Sequence, residues 1–143
     1  MPDINASLGI SQLNKIKKFI KKRKEIAKEY FSGFKKNKNI ILPFIEKFCD
    51  HSFHLFPIQI KFKNLKLSKK NFFKLMLKRN INLQVHYIPI HLQKYYKENF
   101  NIPKNSLPVS ENFYANAVSL PIFYSLDKKK VQKIIKQINN LTS

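Results

Sequence analysis

Apolar residues recur along the chain with two different periods, and the periods divide it into elements. Between residues 11 and 36, Leu13, Ile16, Ile20, Ala27, Tyr30 and Phe34 return every three or four positions, with Phe19 and Ile26 widening the stripe. That spacing predicts one long amphipathic helix, with Lys17, Lys18, Lys21, Lys22, Lys24 and Lys28 left mostly to water. Gly33 and the run from Lys35 to Asn39 end it. Ahead of it, Pro2 near a first helical position and Asp3 against the positive end of a helix dipole predict a short helix over 2–10, bending at Gly9 or Ser11. Ile4, Leu8 and Ile10 on that helix have little to bury against, which predicts an exposed apolar patch.

From residue 40 the period changes to two. Ile40-Ile41-Leu42 is a short β-prone run halted by Pro43. Over 53–62, His54, Phe56, Ile58, Ile60 and Phe62 fall on one face of a strand, with Pro57 pointing to an edge position or irregular pairing. Ser68 is a good N-cap for a helix over 69–79. Leu83, Val85 and Tyr87 alternate with Gln84 and His86, predicting a further strand, and residues 91–110 read as loop. A short helix near 109–116, a strand at Val118–Leu120 and a helix over 127–140 with Val131, Ile134, Ile135 and Ile138 on one face complete the chain. The alternation of helices with short strands predicts an α/β (α+β) layout, a small sheet covered by helices on one face and preceded by a long helix.

The length of 143 residues fits one domain. The formal charge of +20 invites a nucleic-acid or polyanion reading, since cations placed on phosphates release counterions. Against it, Arg23 and Arg79 are the two arginines in an otherwise lysine-based set, and the accompanying Asn, Ile and Phe bias is what AT-rich coding produces by itself. The lysines are therefore read as solvated surface, with a small basic nucleic-acid- or polyanion-binding protein as the alternative. No run reaches the roughly 18 apolar residues of a membrane span, so no membrane partner is expected. The single cysteine, Cys49, suits a reducing, cytoplasmic compartment and reads as a buried, inert thiol.

Chemistry is sparse in the pattern. His51 and His54 would point to opposite faces of a strand, and no acid near His86 and His91 in sequence suggests a third ligand, so no metal is expected. The eight acids are scattered without a pair, two glycines cannot build a phosphate cradle, and no nucleophile motif is present. The exception is Gln84 to Gln93, where a strand runs into a proline-turned loop carrying an amide, a phenol and two imidazoles. Such groups at a strand end are typical of a ligand pocket.

That stretch, His86-Tyr87-Ile88-Pro89-Ile90-His91, resembles the HYxPxH motif in the small domain of the DegT family of PLP-dependent sugar-nucleotide aminotransferases. Leu8-Gly9-Ile10-Ser11-Gln12-Leu13 resembles the family's LGxxQL signature, Arg23 to Tyr30 its RxxIAxxY segment, and His54-Leu55-Phe56 its HLY strand. Tyr95-Tyr96, Glu111 and Val118-Ser119-Leu120-Pro121 are similar to its closing pattern. Within the family, the wording of Gln84 to Pro89 is most similar to the transaminases of pseudaminic acid synthesis, which aminate a UDP-linked keto-sugar with glutamate as donor.

The resemblance implies the small C-terminal domain of an aspartate aminotransferase-like fold over 37–143, with 1–36 as the helical segment joining it to a large PLP-binding domain. It implies substrate contacts from Gln84, Val85, His86 and Tyr87 and a homodimeric, cytoplasmic enzyme using pyridoxal phosphate. No lysine here lies in a motif that matches the Schiff-base position, and the N-x-R element that precedes LGxxQL is not in the sequence. The expectation is thus a C-terminal fragment that binds no cofactor and has no activity alone, because PLP chemistry needs an amine for the aldehyde and an acid for the pyridinium nitrogen. Asn80, where the family often has glycine, is a small change at a turn.

Overall fold

The computed structural model describes residues 1–103 and 105–143. Two helices open the chain, α1 (Asp3–Leu13) and α2 (Ile16–Phe34). The break falls at Asn14 and Lys15 rather than at Gly9 or Ser11, through which α1 runs without interruption. A glycine inside a helix costs only about 1 kcal/mol, so Gly9 alone does not stop one. At the break the amide of Asn14 still reaches Ile10, but that of Lys15 donates to Gln12, a tightened last turn that ends the ladder.

Among the described residues the sheet has three strands, not four. β1 (Ile40–Ile41), β2 (Phe56–Ile60) and β3 (Ala117–Leu120) lie in that order, and both pairs are antiparallel. β2 is the central strand, with Phe56 opposite Leu120 and Ile58 opposite Val118. Its alternation is the one the sequence predicts: Phe56, Ile58 and Ile60 are buried, Pro57 and Gln59 less so. Pro57 is accommodated because β1 reaches only to Gln59, leaving one flank of β2 unpaired at the proline. The strand expected over 83–87 is reduced to a single bridge between Gln84 and Ser119, whose amides exchange bonds of 3.2 and 2.8 Å. Beyond it the His86 ring turns back to the Ser119 hydroxyl (Nδ1 to Oγ, 2.8 Å), so the chain leaves the ladder.

Among the described residues four further α-helices follow the sheet's first strands: α3 (Lys69–Lys78), α4 (Lys94–Asn99), α5 (Pro108–Asn116) and α6 (Lys128–Thr142). α3 starts as expected, with Ser68 Oγ accepting from the Asn71 amide. α4 lies in the stretch read as loop; one helical turn and a half there is held by stacking of Tyr96 on Phe100 at 5.8 Å. Asp127 caps α6, its carboxylate accepting the Lys130 amide at 2.8 Å, and that bond holds the carboxyl below its usual range.

One core joins these elements. Ile26, Tyr30 and Phe34 of α2, Phe72 and Met76 of α3, and Val131, Ile134 and Ile138 of α6 meet the buried face of the sheet. β3 is buried on both sides: Val118 and Leu120 enter this core while Ala117 and Ser119, on the other face, are also covered. α2 and α6 close on each other at Gly33, and beyond the helix the Asn37 amide donates to Asn139 Oδ1 and Thr142 Oγ1 at 2.9 and 2.8 Å.

Tyr30 ties α2 to the end of β3. Its ring has no exposed surface and its hydroxyl donates to the Pro121 carbonyl at 2.7 Å, while burial pushes the phenol well above its ordinary pKa. Tyr30→Phe keeps the ring and leaves that carbonyl without its donor. The expected loss is about 1 kcal/mol, read as a lower urea midpoint at unchanged slope; no loss would mean that the bond contributes nothing net.

α1 buries none of its residues. Ile4 is 83% exposed, and Leu8, Ile10 and Leu13 stand out beside it. Large uncovered apolar surfaces bind hydrophobic dyes and self-associate. The chain is expected to enhance the fluorescence of such a dye, and Leu8→Lys with Leu13→Lys should remove most of that signal. An unchanged signal would place the dye elsewhere.

Candidate functional site

The turn after α3 sets one wall of a cleft. Asn80 has φ of 59°, in the left-handed region, and the amides of Asn80 and Ile81 return to the carbonyls of Leu77 and Met76. These two nested bonds form a Schellman cap, in which asparagine serves at the position glycine usually fills. The turn sends Ile81 into the core and presents Asn80 and Asn82 at the rim.

Between this turn, the end of β3 and the first turns of α6 lies a cleft of about 590 Å³. Its floor is apolar, with Ile81, Leu120, Ile122, Leu126 and Ile134; its rim carries amides, His86, and the ammonium groups of Lys130 and Lys133. Two of the four residues expected to contact substrate, Gln84 and His86, line it together with Ser119. Tyr87 instead lines a second opening of about 570 Å³, with Tyr96, Phe113 and Tyr114, and His86 is the wall common to both. The Tyr87 ring stands edge-on to His86 at 4.8 Å and is largely exposed. Val85 is half-buried and lines neither cleft.

The bond to Ser119 fixes the His86 ring, leaving Nε2 as the nitrogen free to meet a ligand. At the far end of the loop, His91 is buried and its Nε2 lies 3.1 Å from Glu111 Oε1 on α5. The sequence offered no acid near His91 because the two are 20 residues apart; helix α5 brings them together. The segment from His86 to His91 is thereby fastened at both ends, with Tyr87 and Ile88 standing out between them.

The other histidines lie ahead of β2 rather than on its faces. His51 accepts the Phe53 amide through Nδ1 at 2.9 Å, and His54 reaches the rim of the first cleft. Among the described residues no group of three or more His, Cys, Asp or Glu is placed to hold a metal. Cys49 is exposed, not buried, because its segment lies outside the sheet. No described helix is long and apolar enough to cross a membrane.

Pyridoxal phosphate does not fit the described residues by their chemistry. Neither cleft is lined by a carboxylate that could face a pyridinium nitrogen. The lysine whose pKa burial lowers, Lys69, lines neither cleft; its amine donates to the Tyr114 carbonyl and lies over the Tyr114 ring.

The sequence profile of the DegT/DnrJ/EryC1/StrS aminotransferase family matches residues 1–139. The UDP-4-amino-4,6-dideoxy-N-acetyl-beta-L-altrosamine transaminase of Campylobacter jejuni is 33% identical over 129 residues, covering 90% of this chain and 34% of that protein. Helicobacter pylori PseC, an aminotransferase of pseudoaminic acid biosynthesis, superposes with a TM-score of 0.88 at 33% identity, covering 99% of this chain and 38% of PseC. The Streptococcus pneumoniae protein Spr1654 in its PLP form gives a TM-score of 0.88 at 27% identity, covering 99% of this chain and 36% of Spr1654. The chain spans little more than a third of the length of the curated relatives it matches.

Proposed function

Because this chain belongs to the DegT/DnrJ/EryC1/StrS aminotransferase family, we propose that it supplies the substrate-closing small domain of a PLP-dependent enzyme that aminates a UDP-linked 4-keto-sugar. Residues 37–143 form that domain and residues 1–36 the helical connection to a PLP-binding large domain. The observation that carries the reading is the placing of Gln84 and His86 on one cleft, with the His86 ring held by Ser119. When bound, the cofactor supplies the electron sink; this chain's part is to shape the site, orient the sugar through His86 and Gln84, and limit water. Val85 and Tyr87 complete the contacts from the adjoining opening. The uncovered apolar face of α1 is consistent with a connection that packs on a further domain, and a homodimer is the assembly the reading carries with it.

The 143 residues alone are inactive in this reading, for want of the amine and acid that PLP chemistry needs. Purified, they should show no Schiff-base absorbance with pyridoxal phosphate and no transfer of an amino group to a keto-sugar. Joined to the large domain of the Campylobacter relative in place of its own matching third, they should restore both. In that fusion, His86→Ala should lower kcat/KM about tenfold or more, the worth of one hydrogen bond from a fixed donor. Turnover by the chain alone, or a fusion indifferent to His86, would overturn the assignment.

A further inference from the structure

We propose that Glu111 is a positioning residue: through His91 it holds the loop from Tyr87 to Ile90 against the body of the domain, so that Tyr87 meets substrate in one fixed place. The proposal rests on the aminotransferase reading and deepens it, since Tyr87 is one of the substrate contacts that reading assigns.

Both ends of the loop are tied to one stretch of chain. α5 runs straight into β3, Asn116 being followed by Ala117, and β3 is buried on both sides. Ser119 on β3 meets the His86 ring, and Glu111 on α5 meets the His91 ring. Between these ties Tyr87 is 75% exposed, and Ile88 and Ile90 also face outward, so packing holds them weakly. Gln93 adds a bond to the Ile88 carbonyl, but at 3.4 Å it is longer than a strong amide bond. The ring that Glu111 holds is differently placed: His91 is 8% exposed, within a single 3₁₀ turn over Ile90–Leu92. A buried imidazole N–H left without an acceptor is costly, so removing the carboxylate favours a loop that swings out to water.

α5 serves as the platform for this contact although all its residues stay at least partly exposed. Its far end is tied to α3, where the Lys69 amine donates to the Tyr114 carbonyl and lies 4.8 Å from the centre of the Tyr114 ring. A plainer role for Glu111 exists, because an acid in the first turn of a helix meets the positive end of its dipole. Substitution separates the two roles. Glutamine keeps an oxygen that accepts from His91 Nε2 but loses the charge; alanine loses both.

The test combines ¹⁵N relaxation of the full chain with kinetics of the fusion to the Campylobacter large domain. Glu111→Ala should lower the backbone order parameters of Tyr87 and Ile88 from about 0.85 to below about 0.6 and leave those of Val131 and Ile134 unchanged. Glu111→Gln should stay near the parent. In the fusion, Glu111→Ala should raise KM for the keto-sugar about fivefold with kcat nearly unchanged, and should add less than about twofold to Tyr87→Ala. The proposal is overturned if Tyr87 stays ordered in Glu111→Ala, if α6 loosens as much as the loop, if glutamine is as damaging as alanine, or if the KM effect persists undiminished beside Tyr87→Ala. An active fusion indifferent to Glu111→Ala would overturn this inference and leave the aminotransferase reading standing. An inert parent fusion beside a loop that loosens in Glu111→Ala would remove that reading and keep the tie.

Discussion

Phe56→Ala is expected to leave the chain at the edge of unfolding at 25 °C. Phe56 has no exposed surface and stands where three rings converge, with centroids 5.1 Å from Tyr30, 5.2 Å from Phe31 and 6.1 Å from Phe53. It also opens the ladder to β3 opposite Leu120, so its loss removes packing on α2 and on the sheet together. Truncating a buried phenylalanine to alanine costs about 3–5 kcal/mol, against a total for ordinary domains of about 5–15. This chain belongs at the lower end of that range, because α1 is ordered without burying any residue. A urea midpoint moved close to zero, with Phe56→Leu keeping most of the parent's, is the expected pair of results. A stable Phe56→Ala protein with a midpoint near the parent's would show that the ring cluster is not what holds β2.

Gly33→Val is expected to destabilise by about 3 kcal/mol, the upper part of the usual range for overpacking. A Cβ at Gly33 would lie 2.6 Å from Cγ2 and 2.7 Å from Cδ1 of Ile135. Cγ2 is attached directly to the Ile135 Cβ, so the overlap cannot be cleared by turning the end of the chain alone; α2 and α6 must separate. That separation also strains the bond from Asn139 Nδ2 to the Gly33 carbonyl, 3.0 Å long. Gly9 is the internal contrast: nothing lies within 4 Å of a Cβ there, so Gly9→Ala should stabilise by up to about 1 kcal/mol through helix propensity. Opposite signs at the two glycines, read from thermal midpoints, would confirm that close approach and not backbone freedom keeps Gly33. A destabilised Gly9→Ala would contradict it.

The parts of this fold written in local periodicity could be read directly. The α6 face of Val131, Ile134, Ile135 and Ile138, the Ser68 cap and the alternation in β2 each depend on residues within a few positions of one another. What escaped depends on partners distant in sequence. Gln84 to Tyr87 alternates like a strand, but its neighbour β3 is only four residues long and His86 spends its ring on Ser119, 33 positions away. Glu111 reads as an isolated acid until α5 sets it against His91. The two lysines of the cleft looked like any others among 28 basic residues, and only the fold sets Lys130 and Lys133 on its rim. One placement was legible: Gln84 and His86, an amide and an imidazole at a strand's end, do line one cleft.

The closure of α2 against α6 has a consequence for how the molecule is made. Gly33 meets Ile135, and Asn37 meets Thr142, across more than a hundred intervening residues. At the ordinary pace of about 5–20 residues per second, the ribosome needs several seconds or more to deliver the second partner after the first. Through that interval the part of the α2 stripe that faces α6 is bare, and the nascent segment depends on whatever shields it in the cell. Birth order, as much as final packing, therefore decides how much of this polypeptide reaches its folded form.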